Sequence, residues 1–163
     1  MDLSLDEIRE VTAFAAGAAE DVLGLFEAAH PDDERPRRAV AAAWEFARGG
    51  HRGRLLRDTA WGAMRASKET GGAAVDAASA AMAAAGSAYL HPLEKSTQVK
   101  HILGSAAHAA RAREVAGGDA GLREAAKRAT PVVVAVLRRY PAAPAGGGRV
   151  GELIRELDQI LRQ

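Results

Sequence analysis

Apolar residues recur at three- and four-residue spacing through most of this chain, the period of helices with one buried face. Leu5, Ile8, Val11, Ala15, Ala18, Val22, Leu25 and Ala29 trace a first stripe, and Pro31 stops it. Ser4 and Glu7 have capping-box spacing at its start. A second helix is predicted from Pro36, where Asp32, Asp33 and Glu34 place negative charge at the helix start. Val40, Ala43, Trp44 and Ala47 form its inner face, and Gly49-Gly50 ends it. A third runs from Leu55 to Lys68, with Leu56, Ala60, Ala63 and Ala66 inward and Trp61 and Met64 alongside. Gly71-Gly72 separates it from a fourth, carrying Val75, Ala78, Met82, Ala85 and Tyr89 and ending before Pro92. A fifth starts near Ser96, a candidate N-cap, and stops at Gly117-Gly118. Val99, Ile102, Ala106 and Ala109 share one of its faces; His101, Ser105, His108 and Ala112 share the next. A sixth follows Asp119 and is kinked or divided at Pro131. Its second part, Val132 to Tyr140, is the most apolar stretch and is expected at the centre of the core. A seventh presents Val150, Leu153, Leu157 and Ile160 on one side.

No segment alternates convincingly between apolar and polar positions, so the chain reads as all-α. The expected architecture is a single compact domain of six to seven mostly antiparallel helices. Residues 1–140 form the alanine-rich domain, 141–148 a Pro/Ala/Gly linker, and 149–163 an amphipathic helix. That helix packs on the same domain or on a second copy, and a homodimer through it is expected because its apolar face must be covered. Hydrophobic residues make up 48% of the chain, but aromatics only 4%, and alanine supplies much of the rest. Alanine has the highest helix propensity and almost no side-chain bulk, so the helices are expected to approach closely.

With 22 basic and 21 acidic residues the net charge is +1, too small to favour nucleic acid or an anionic membrane. A DNA-binding role with Arg48, Arg52, Arg54 and Arg57 on phosphates is therefore not the expectation. The absence of cysteine excludes disulfides, thiolate metal sites and a cysteine nucleophile. The N-terminal MDLSLDEIRE is acidic and amphipathic, unlike a secretory signal, and no apolar run is long enough to span a bilayer. A cytoplasmic protein without membrane association is expected.

The candidate chemistry gathers on the fifth helix. His101 and His108 are two turns apart on one face, with a rise of about 10 Å between them, too far for the usual i, i+4 metal pair. No metal or cofactor is predicted. Tyr89, His91, Gln98 and Ser105 extend the polar line and complete a ligand- or partner-binding set with the two histidines. Trp44 and Trp61 are expected in the core; exposed, either would anchor a protein partner. No serine lies in a nucleophile elbow, so no catalytic residue is assigned. The alternative is a small-molecule site between the first, fourth and fifth helices, in which Glu20 or Asp21 joins Tyr89, His101 and His108. Arg35 and Arg37 flank Pro36 and are expected to pair with Glu20 or Asp21 across the first helical corner.

The segment AEDVLGLFEAAHPDDERPRRAVAAAWEFARG, residues 19–49, resembles the opening of the Imm-5-like putative immunity proteins. The likeness rests on the acidic pair at Glu20 and on the Asp-x-Arg-Pro-Arg run of Asp33, Arg35, Pro36 and Arg37. Residues 83–114, with their histidines, are similar to that family's alanine-rich second half; the resemblance spans about residues 12–140 and leaves out the linker and last helix. It implies a small cytoplasmic helical protein that binds and neutralises a toxin of a polymorphic-toxin system by occlusion, without catalysis. A small-molecule-binding protein or enzyme of secondary metabolism is the alternative.

Overall fold

The computed structural model describes residues 1–163 as eight α-helices and no strand. Helix α1 (Leu5–Ala29) opens with the capping box: Glu7 N–H donates to Ser4 Oγ at 3.1 Å, and Ser4 N–H donates to the Glu7 carboxylate at 2.9 Å. The glycine pairs and prolines then divide the chain into α2 (Arg35–Ala47), α3 (Arg54–Lys68), α4 (Ala73–Gly86) and α5 (Val99–Val115). They are followed by α6 (Leu122–Lys127), α7 (Pro131–Leu137) and α8 (Gly148–Arg162). The count exceeds the expected six to seven because Thr130-Pro131 makes a true break. Thr130 Oγ1 accepts from Val133 N–H at 3.3 Å, and Pro131 occupies the first turn, where its missing N–H costs nothing. The fourth helix also ends earlier than its stripe suggests: α4 stops at Gly86, and Ser87–Tyr89 continue as a single 3₁₀ turn. A second such turn, Ser96–Gln98, leads into α5, so Ser96 does not cap it.

Helix α4 is the hub. It packs against α1, α2, α3 and α5. Ala77, Ala78, Ala80, Ala81, Ala84 and Ala85 are all fully buried and lie within about 160° of one side of the helix, while Met82, Ala83 and Gly86 on the other side are half-buried. Two hydroxyls pin the surrounding helices. Ser105 Oγ of α5 lies 2.7 Å from the Ala15 carbonyl of α1 and 3.0 Å from the Ala80 carbonyl of α4. Ser87 Oγ lies 2.9 Å from Thr12 Oγ1 and 2.7 Å from the Ala84 carbonyl. Every buried side-chain polar atom has a partner, as a dry interior requires.

The valine-rich α7 is not the centre of the core. It packs at the edge on α1 and α8, burying Val133, Val136 and Leu137, while Val132 is exposed. Mean apolarity ranked it above α4, but bulk keeps neighbours apart. A helix of small side chains can take several neighbours at close range.

Helix α8 folds back on its own chain against α5 and α6, burying Leu153, Leu157 and Leu161. Of the apolar face that motivated self-association, Leu153 and Leu157 are covered within one molecule, while Val150 and Ile160 stay half-buried. The Pro/Ala/Gly segment preceding α8 is strapped to it. Ala143 N–H donates to Asp158 at 2.9 Å, and Arg155 Nη1 reaches the Pro144 and Gly146 carbonyls at 3.0 and 2.8 Å. Asp158, buried, also holds Arg162 at 2.6 Å, and Arg162 donates to the Tyr140 carbonyl at 2.9 Å.

This strap needs Gly151, because a Cβ there would overlap the Gly146 carbonyl. Gly151→Ala is expected to lower stability by about 1–3 kcal/mol through overpacking, despite alanine's higher helix propensity. Urea denaturation of both proteins measures it; an unchanged or raised midpoint would show that the strap does not constrain α8.

Candidate functional site

One face of the molecule carries a groove built from four helices. Its first part, of about 300 Å³, lies between α3 and α4 and is lined by Arg57, Ala60, Trp61, Met64, Met82, Gly86 and Tyr89. Ala60, Met82 and Gly86 also border a second part of about 550 Å³. There Ala83 and Gly104 form the floor, Lys100, His101 and His108 come from α5, and Gly147, Val150, Gly151 and Ile154 from α8 and its approach. Positions 101, 104 and 108 share one face of α5. The glycine between the histidines keeps the floor low, its absent Cβ lying 3.8 Å from that of Ala83.

His108 Nδ1 lies 2.9 Å from Asp76 Oδ1, with both side chains mostly buried. The contact fixes the ring orientation, with Nδ1 toward Asp76 and Nε2 on the opposite side of the ring. His101 is half-buried. Burial chiefly, then the positive charge of Lys100 and the proximity of His91, hold its pKa below the ordinary histidine value, while the Gly86 carbonyl partly opposes them. Tyr89 OH donates to the Gly53 carbonyl at 3.0 Å, which fixes the ring at the end of the groove.

The expected core position of Trp61 is corrected. It is 52% exposed and stands at the groove's edge. Five residues from Leu56 at 3.6 residues per turn place it about 140° from the buried line of α3. Trp44 is half-buried on α2, outside the groove. Its indole N–H donates to Glu20 at 2.5 Å, and the Arg48 guanidinium stacks 4.8 Å from its ring.

The structure brings Trp61, Tyr89, His101 and His108 together and leaves the other candidates elsewhere. Glu20 is engaged with Trp44, Asp21 pairs with Arg128, and neither lines the groove. Ser105 is buried in the α1–α4–α5 junction described above. Gln98 accepts the His91 N–H at 3.0 Å, and the His91 carbonyl accepts Tyr140 OH at 2.7 Å, so both belong to the turn before α5.

The Asp33–Arg37 motif is a set of ion pairs, with partners other than those expected. Arg37 pairs with Glu27 at 2.5 Å, because α2 begins beside the end of α1 rather than its middle. Arg35 bridges Asp33 at 2.7 Å and Glu69 at 2.9 Å, tying the second corner to the end of α3. The Arg35 guanidinium lowers the pKa of the Asp33 carboxyl, and Arg37 that of Glu27. The four arginines between positions 48 and 57 are dispersed: Arg48 stacks on Trp44, Arg52 donates to the Ala88 carbonyl at 3.2 Å, Arg54 is exposed at the start of α3, and Arg57 borders the groove.

Sequence reasoning missed Asp76 as the partner of His108, Lys100 as a groove residue, and the whole contribution of α8. Asp76 was visible as the one acid within the alanine-rich run, but the interhelical pairing that gives it meaning was not. No three His, Cys, Asp or Glu side chains converge to hold a metal ion, and no helix is long and apolar enough to cross a membrane.

The lowered pKa of His101 has a definite sign. Folding makes this group harder to protonate than in an unfolded chain, where its value is 6.5. The stability it contributes is complete above that value and is lost as pH falls below it. Carboxylate losses come lower; Glu7, held at about 2 by Arg139, gives up its contribution only as pH falls from 4.5 toward that value. The urea midpoint is expected to fall between about pH 7 and 5, and His101→Gln to flatten that fall. An equally steep fall in the variant would assign it to other groups.

No curated protein and no solved structure matches the chain. The match to a family model runs over residues 2–132, extending the sequence resemblance toward the N-terminus and ending inside α7, so that α8 and its part of the groove lie beyond it. On that match, the chain belongs to the Imm-5 like putative immunity protein family.

Proposed function

We propose that this protein acts without catalysis, by seating a segment of a protein partner such as a toxin in the α3–α4–α5–α8 groove and so occluding it. The observation that carries the reading is Trp61. It is a large aromatic left 52% exposed beside Met64 and Met82. Tryptophan is enriched among residues that dominate interface energies, and methionine adapts its shape to an incoming side chain. The groove floor of Ala83, Gly86 and Gly104 leaves room for a partner's backbone to approach.

Charge defines the segment further. Arg57 and Lys100 supply the charge on the two parts of the groove, and no Asp or Glu lines it, Asp76 standing behind His108. The groove therefore suits an apolar segment that also carries carboxylates. Family membership supports an immunity-type role, and a toxin is the kind of partner such a role would meet.

One observation favours a second reading, a small-molecule site. The Asp76–His108 hydrogen bond orients an imidazole into a hollow of about 550 Å³. Such a pair serves as a general base when a substrate proton is in reach. In that case His108→Ala abolishes turnover of a bound compound, whereas under occlusion it only weakens partner binding.

A photo-crosslinking residue placed at position 61, in cells that express the partner, is expected to capture it. The same residue at Val115, exposed at the end of α5, is not. With that partner purified, Trp61→Ala is expected to weaken binding by about 30-fold or more, with an unchanged urea midpoint. Full affinity in the variant would move the interface away from the groove.

A further inference from the structure

A second site lies on another part of the surface, between α1, α5 and α6. The six-residue α6 packs on α8 and α5 but stands off α1. It is tied across the gap by the Asp21–Arg128 ion pair and by Arg128 Nη1 reaching the Gly17 carbonyl at 3.4 Å. The gap is a cleft of about 240 Å³ whose apolar walls are Phe14, Ala18, Ala106 and Ala125. Its alanines come from three helices, Ala18 of α1, Ala106 of α5 and Ala125 of α6, so its walls are low on every side.

Four charged side chains border it, and three of them are paired. Asp21 holds Arg128, and Glu124 holds Lys127 at 3.0 Å. Arg113 is the fourth. Its Nε donates to the Ala120 carbonyl at 3.2 Å, which orients the guanidinium, but its two terminal nitrogens have no partner in the protein and no carboxylate forms an ion pair with it. A half-buried guanidinium at an apolar cleft matches a carboxylate in a two-bond fork.

We infer that this cleft binds a small monocarboxylate with an apolar body, its carboxylate on Arg113 and its body against Phe14, Ala18, Ala106 and Ala125. The volume, at roughly 30 Å³ per water-sized unit, holds about eight non-hydrogen atoms, the size of benzoate or hexanoate. The proposal is independent of the groove, because the two share no lining residue.

Benzoate titrated into the intact protein, followed by amide chemical shifts, is the direct probe, with benzamide and benzylamine as neutral and cationic controls of the same shape. Benzoate is expected to shift the amides of Ala18, Ala106, Gly121 and Ala125 saturably, with benzamide about tenfold weaker and benzylamine not binding. Arg113→Met is expected to bring benzoate down to the affinity of benzamide while leaving benzamide unchanged, which also shows that the cleft survives the substitution. Ala125→Leu, on the half-exposed α6 face, is expected to fill the cleft and remove both. Shifts confined to other surfaces, no saturable shift at all, equal binding of benzylamine, or undiminished benzoate affinity in Arg113→Met would each overturn the assignment.

Discussion

Everything in this structure depends on how closely helices can approach α4. Its buried residues are almost all alanine, and four helices pack against it. Each alanine buries little apolar area, so no single side chain contributes much by transfer from water. What compensates is the number of such positions and the low cost of keeping alanine helical. The same arrangement makes the α4 contacts intolerant of added volume, because an alanine facing a nearby backbone has no rotamer by which to yield. It also explains why hydroxyls rather than apolar bulk set the registry. A serine can be buried between two backbones only where those backbones come near enough to supply its acceptors, as Ser105 finds at Ala15 and Ala80.

A core of small residues leaves the periphery to arginine. Glu7 pairs with Arg139, joining the start of α1 to the end of α7; Glu114 pairs with Arg149 at 2.6 Å, joining α5 to α8. Arg9 reaches the Phe46 and Gly50 carbonyls at 3.1 and 3.2 Å, closing the α1–α2 corner from its other end. Exposed pairs of this kind contribute about 0–1 kcal/mol each, so their role is orientation more than stability. They decide which helix end meets which, a choice that a featureless alanine surface leaves open. The near-equality of 22 basic and 21 acidic residues, read from composition as absence of an electrostatic preference, reflects in part this pairing.

Helix boundaries were largely legible because they are set locally. Ser4 with Glu7, Pro31, Pro36, Pro131 and the glycine pairs act within one or two turns, and the structure breaks at each. Partners were not legible, because pairing depends on how helices are arranged. Arg37 was expected at Glu20 or Asp21 and meets Glu27; the segment alone could not tell which turn of α1 lies beside the start of α2. Trp61 is a different kind of miss. Its angle on α3 was readable from Leu56 and Ala63, but its size and aromaticity argued for the core, and angle decided. Ser105 shows the converse: its helical face lies next to the histidines, yet on a helix packed against both α1 and α4 that face is interior.

The groove follows from the same constraint as the core. Where α3, α4 and α5 diverge, residues small enough to let helices touch elsewhere leave open space instead, as at Ala60, Ala83, Gly86 and Gly104. Helix α8 covers α5 only as far as its own apolar stripe extends, and Val150 and Ile154 become a wall. Larger side chains at those floor positions would fill the space and bury Trp61 and Met64 more fully, at a gain in apolar burial. The chain instead keeps an exposed tryptophan beside a shallow floor, and it keeps His108 fastened to Asp76 where solvent still reaches. A surface that forgoes available burial while fixing the orientation of its polar groups is arranged for something other than the stability of the fold. The polar groups that serve the fold alone, Ser105, Ser87 and Asp158, are buried and fully bonded.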